Sequence, residues 1–173
     1  MIKYLSRMDE KSKGNCIDQI KGYEGIKEEL RKQLHYINHR VRFNSIIPGV
    51  VLVGKKGHGR HFMVDAFLEA ACKKVFVVDG AHVSNAMDEL RYFLDGAGRD
   101  EAVIIQLDCL DQMKEEQVDI IAGLLRESGK TVYVLGISEE DDDLVKQCRV
   151  CGLLEYSIAV TDPYLKDTVQ FLV

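Results

Sequence analysis

An α/β fold, a three-layer α/β/α sandwich around a five-stranded parallel sheet, is predicted by three features of the 173-residue sequence. Short β-branched apolar runs at 50–53, 75–78, 102–107, 132–136 and 157–160 recur along the chain, each followed by a turn and a helical stretch. This alternation is the pattern of parallel strands joined by crossover helices. The runs are apolar throughout, as strands covered on both faces are. A glycine-bearing turn, Gly54 to His61, joins the first run to a helix, where backbone N–H groups and a helix N-terminus face an anion.

The remaining elements follow in order. Residues 1–16 read as a polar leader, 17–162 as one nucleotide-binding domain, and 163–173 as a last, single helix. Over 23–43, Ile26, Leu30, Leu34, Ile37 and Val41 recur at the three-and-four spacing of an amphipathic helix, which Pro48 and Gly49 end. Further helices are predicted over 62–72, 83–94, 112–127 and 141–148.

Composition excludes several function classes. The 46% hydrophobic and 29% charged fractions are those of a globular domain, and no run approaches the roughly 20 apolar residues that span a bilayer. A net charge of -5 with no basic tract argues against a nucleic-acid partner. Cys16, Cys72, Cys109, Cys148 and Cys151 are odd in number and scattered, so thiols in a reducing, cytoplasmic setting are expected. Cys148-x-x-Cys151 is a single pair at a strand approach, so no zinc is expected there. His35 and His39 share a helix face without an intervening glutamate base, and the acids 139–143 suit a solvated loop and helix start.

The loop meets the phosphate-binding pattern G-x-x-x-x-G-K-[ST] at Gly54 and Gly59, and Gly57 permits a tight backbone path. Its last two positions depart. Arg60 replaces the lysine that reaches the outer phosphates, and His61 replaces the hydroxyl that holds magnesium, a cation that seeks oxygen. Magnesium is therefore not expected.

Read in order, these segments resemble the AAA+ ATPases, most closely the FtsH-like branch, from residue 17 to the C-terminus. The stretch Gln19-Ile20-Lys21-Gly22-Tyr23-Glu24-Gly25-Ile26-Lys27-Glu28-Glu29-Leu30 resembles the family's opening segment D-[IV]-x-G-x-x-x-x-K-E-E-L, and the loop resembles G-P-P-G-T-G-K-T with all three glycines kept. The resemblance implies that Ile20 and Gly22 lie against adenine and that Gly54, Gly57, His58, Gly59, Arg60, His61 and Phe62 surround the nucleotide. It places Asp108 on the magnesium-ligand position of the Walker B strand, Asp111 on the second acid, and Cys109 where the catalytic glutamate stands. A thiol of ordinary pKa is mostly neutral at pH 7 and is a poor base. Ser138 and Glu139 fall where the family has Thr-Asn, and Val150 and Leu153 occupy the arginine-finger positions, with Arg149 one residue out of register. Residues 79–90 are too short for a substrate-threading pore loop, and residues 163–173 would be the remnant of the first helix of a lid. Asp111 alternatively caps the helix after it.

The implied function is a degenerate AAA+ ATPase-like domain without ATP hydrolysis, serving as a nucleotide- or polyphosphate-binding or protein-interaction module. ATP or ADP is the candidate ligand, and a protein, either an intact AAA+ protein or a second copy, is the candidate partner. The alternative is an ATP-binding AAA+ ATPase active only with a partner chain.

Overall fold

The computed structural model describes residues 2–3, 15–39, 45–161 and 170–172. The chain order is β1 (Ile2–Lys3), α1 (Asn15–Asp18), α2 (Glu24–His39), β2 (Ile46–Val53), α3 (Arg60–Ala71), β3 (Val75–Asp79), α4 (Val83–Asp95) and β4 (Ala102–Asp108). A 3-10 turn (Leu110–Gln112) then leads to α5 (Glu115–Ser128), β5 (Thr131–Ser138), α6 (Asp143–Val150), β6 (Leu154–Ala159) and β7 (Gln170–Leu172).

The sheet runs β1-β3-β4-β5-β2-β6-β7. Its five central strands are parallel, as their unbroken apolar sequences predict. One core layer joins the sheet to α1, α2 and α3 through Ile17, Ile26, Met63 and Phe67, and the other joins it to α4, α5 and α6 through Leu90, Val118 and Val145. These are the three predicted layers. No helix among the described residues is long and apolar enough to cross a membrane.

The ends of the chain differ from expectation. The helix predicted over 163–173 is corrected at Gln170–Leu172, which forms β7, antiparallel to β6. Residues 162–169 lie outside the described set, as do 40–44 at the end of the long helix predicted over 23–43. Three residues carry no period, and the N–H and C=O row along the free edge of β6 supplies the partner that makes them a strand. The polar leader likewise contains β1, antiparallel to β3, and the first half of α1, whose Cys16 is buried in the core.

A polar chain crosses the α2 side of the core. The fully buried Tyr133 hydroxyl donates to Gln33 Oε1 at 2.9 Å, Gln33 Nε2 donates to the Tyr156 hydroxyl at 3.0 Å, and Tyr156 donates to the Glu29 carboxylate. Burial pushes both phenols well above the ordinary tyrosine range, so both remain donors. The chain also explains Gly49: a Cβ there would lie 2.2 Å from the Val134 carbonyl oxygen and 2.5 Å from the Tyr133 ring. Tyr133→Phe leaves the Gln33 acceptor buried and unpaired, and we expect a loss of about 1–3 kcal/mol in urea unfolding with an unchanged m-value. A loss indistinguishable from zero would show that the chain does not contribute to stability.

Candidate functional site

The loop after β2 is held from both sides. The Gly54 N–H donates to the Ser138 carbonyl at 3.1 Å, and a Cβ on Gly54 would come within 2.5 Å of the Val160 carbonyl oxygen. Gly57 and Gly59 both adopt φ of 88°, a left-handed conformation that side chains resist. Gly59 is the N-cap of α3, and its carbonyl accepts the Met63 N–H at 3.0 Å. The loop therefore ends with the first N–H groups of a 12-residue helix facing outward.

The side chains divide into two sets. Ile20, Gly57, His58, Gly59 and Phe62 converge on a cavity of about 350 Å³, together with Gln19, Lys21, Tyr23 and Met63. Gly22 contributes a turn, with φ of 73°, that swings Tyr23 inward so that its hydroxyl donates to the Thr161 carbonyl at 3.2 Å. His58 Nδ1 lies 3.3 Å from the Val160 carbonyl oxygen and closes the same wall. The sequence reading missed Tyr23, Lys21 and Met63. A residue on either side of Gly22 and the first apolar residue after Phe62 were the signals available.

The second set lies where β4 ends. His61 Nε2 lies 3.1 Å from Asp108 Oδ1 and 3.3 Å from Oδ2 and donates to that carboxylate. Asp108 Oδ1 also accepts the Cys109 N–H at 2.9 Å. Cys109 has φ of 49°, and burial, followed by the charges of Asp108, Asp79 and Asp111, pushes its thiol up. Its carbonyl packs where a Cβ on Gly80 would stand, at 2.1 Å. Asp79 is drawn below the usual carboxylate range by the Ala81 N–H and by His82.

Arg60 is the first residue of α3 and lies on its buried stripe with Met63, Val64, Phe67, Leu68 and Ala71. It is only 5% exposed, and among the described residues its guanidinium has no hydrogen-bond or ion-pair partner. Lys55 and Lys56 are exposed.

The outer positions are engaged within the chain. Asp111 accepts the Glu139 N–H at 3.3 Å and does not cap α5, whose N-cap is Lys114. The Ser138 hydroxyl is buried and donates to the Glu140 carbonyl at 2.7 Å. Arg149 pairs with Asp141 at 3.1 Å and donates to Ser157. Val150 is 82% exposed and Leu153 fully buried. In the acidic run, Asp142 caps α6 by accepting the Leu144 and Val145 N–H groups.

Sheet order, loop and flanking helices have the fold of the AAA+ type. No protein-family profile matches the sequence, and no curated protein matches it. Among solved structures the chain is similar to RuvB of Thermotoga maritima, with TM-score 0.62 and 11% identity, covering 84% of this chain and 48% of that one. It is also similar to katanin in a structure of katanin self-assembly, with TM-score 0.61 and 21% identity, covering 83% and 52%. Both are AAA+ ATPases, and the likeness concerns the fold. The chain spans about half the length of each.

The raised Cys109 thiol predicts that its alkylation at pH 8, followed by peptide mapping, runs several-fold slower than that of a free small-molecule thiol, and that the rate rises only at higher pH. Equal rates would contradict the surroundings described here.

Proposed function

We propose that this chain is a degenerate AAA+ ATPase-like domain, allied to the FtsH-like branch by residues 19–30. It binds a nucleotide or polyphosphate on the loop Gly54–His61 without magnesium and does not hydrolyse it. The observation that carries the binding is Arg60. Arg60 is 5% exposed and has no counter-charge among the described residues, its guanidinium nitrogens are not among the sealed polar atoms, and a phosphate group at the N-terminus of α3 would offset its charge. The cavity beside it, walled by Ile20, Phe62 and Met63, suits the apolar part of such a ligand.

Magnesium does not fit the residues present. It demands six near-octahedral oxygens, whereas the position after Arg60 offers an imidazole that is already donating to the Asp108 carboxylate. Hydrolysis lacks its base, because a thiol pushed up by burial and three nearby acids is neutral at pH 7. The Arg149–Asp141 pair keeps that guanidinium within its own chain, which supports the same reading. ATP and ADP are the candidate ligands, and an intact AAA+ protein or a second copy is the candidate partner.

The test is a thermal-shift titration with ATP, ADP and tripolyphosphate, in EDTA and in magnesium. Ligand at about 100 times Kd adds about 2.7 kcal/mol, so the midpoint should rise by several degrees in EDTA and by no more in magnesium. Arg60→Ala should weaken binding at least about tenfold, the scale of a charged hydrogen bond. No stabilisation in either buffer would sink the binding reading. Magnesium-dependent phosphate release above an Arg60→Ala control would sink the inactive one. Arg60→Lys combined with Cys109→Glu should still release no phosphate, because His61, Ser138 and the finger positions are unchanged.

A further inference from the structure

At the C-terminal end of α2, away from the loop Gly54–His61, lies a second cavity of about 470 Å³. His35, Tyr36 and His39 wall it from α2, Ile47 and Pro48 from the start of β2, and Glu155 from β6. Residues four apart lie one above the other on a helix face, so His35 and His39 are neighbours. Their rings stack with centroids 4.2 Å apart and planes 23° from parallel. Two imidazoles thus stand side by side on one wall of the cavity, and a carboxylate stands on another.

One hydrogen bond decides which ring atoms are available. His39 Nδ1 lies 3.1 Å from the His35 carbonyl oxygen. A carbonyl only accepts, so Nδ1 carries the proton, and Nε2 of the neutral ring keeps its lone pair. Metal-binding histidines are oriented in this way, with the other ring nitrogen donating to a carbonyl or carboxylate. The side chains of His35 and Glu155 have no hydrogen bond or ion pair among the described residues. We propose that His35 and His39 together bind a divalent transition-metal ion of the zinc, nickel and copper class.

The donors set that class, since imidazole suits these ions, whereas magnesium and calcium take oxygen. The chain supplies two nitrogens and no more, because among the described residues no set of three His, Cys, Asp or Glu side chains is placed to hold an ion. Water fills the other positions, and Glu155 contributes negative charge to the cavity. The missing glutamate of an H-E-x-x-H pattern bears on hydrolysis and not on binding, so no reaction is assigned to the ion. What the ion does is mechanical. The last turn of a helix has carbonyls without intrahelical donors, and a metal clip across positions 35 and 39 holds that turn closed against β2. Binding to the folded chain alone then adds to its stability.

The site shares no residue with the proposed nucleotide site, so its test needs no nucleotide. The metal-stripped whole chain is titrated with Ni²⁺ and Zn²⁺ by calorimetry, with Mg²⁺ as the control, and the Zn²⁺ titration is followed by NMR of ¹⁵N-labelled histidine. One Ni²⁺ or Zn²⁺ per chain should bind, Mg²⁺ should give no signal, and the His35 and His39 ring nitrogens should shift. His35→Ala and His39→Ala should each weaken binding at least about tenfold, since even a lost supporting hydrogen bond around a metal costs about that much. His82→Ala, which removes the imidazole paired with Asp79, should change nothing. Both cavity histidines are exposed, so their replacement leaves the core intact. Failure of the wild-type chain to bind Ni²⁺ or Zn²⁺ overturns the proposal. So does unchanged affinity in the His35→Ala, His39→Ala double variant, or a Zn²⁺ response confined to His58, His61 and His82.

Discussion

The site depends on Gly54 being pinned between two strands. Its N–H is taken by the carbonyl of Ser138 at the end of β5, and its bare Cα faces the Val160 carbonyl just past β6 at a distance that no side chain tolerates. Both constraints exist because β2 sits between β5 and β6 in the parallel sheet. The long-range pairing of the sheet therefore fixes the direction in which the loop leaves β2. That direction decides where the N-terminus of α3 points, and with it Arg60, His61 and the cavity at Ile20 and Phe62. The Val160 carbonyl serves twice, since His58 also closes on it.

Around this exit, the polar groups at the ends of the strands are partners of one another. His61 takes Asp108, Asp111 takes the Glu139 N–H, Ser138 turns to Glu140, and Arg149 turns to Asp141 and Ser157. The first joins the N-terminal turn of α3 to the end of β4, the second the turn after β4 to the loop after β5, the third closes that loop on itself, and the last ties α6 to that loop and to β6. Hydrogen bonds and ion pairs of this kind are individually modest and often negligible at exposed positions, as His61 is. Their effect here is geometric: they determine which polar atoms are left over. Arg60 is left over, and it is also the loop's only buried cation among the described residues.

How much of this was legible in the sequence depended on the range of the forces involved. The central strands and the helices α3 to α6 were readable because each carries its own periodicity, and the loop was readable because three glycines at fixed spacing have few other uses. Glycine spacing could not reveal why Gly49 is small, because the answer is the Val134 carbonyl and the Tyr133 ring on the neighbouring strand β5. The strand at Gln170–Leu172 was hidden for the same reason, since its order comes from the edge of β6. At the site, Ile20, His58 and Phe62 were assigned to the ligand's surroundings and do line one cavity. The His61–Asp108 contact is not legible in the sequence, because the two residues are 47 positions apart and meet only through the pairing of the sheet.

The arrangement also says which charges matter to an anion. Lys55 and Lys56 are exposed, so water and salt screen their attraction within about 8 Å at physiological ionic strength. Arg60 is screened less, because it is buried. On the proposed reading, a loop with two exposed lysines and one buried arginine would draw most of its specific affinity from the arginine and from the N–H groups of α3, and the lysines would contribute chiefly to the rate of encounter. Nothing in that division of labour requires a metal to neutralise the ligand. On the proposed reading, Arg60 and His61 at the loop's last two positions leave glycines that would still shape an anion's seat, while the one buried cation and the Asp108 carboxylate engaged by His61 would separate binding from catalysis.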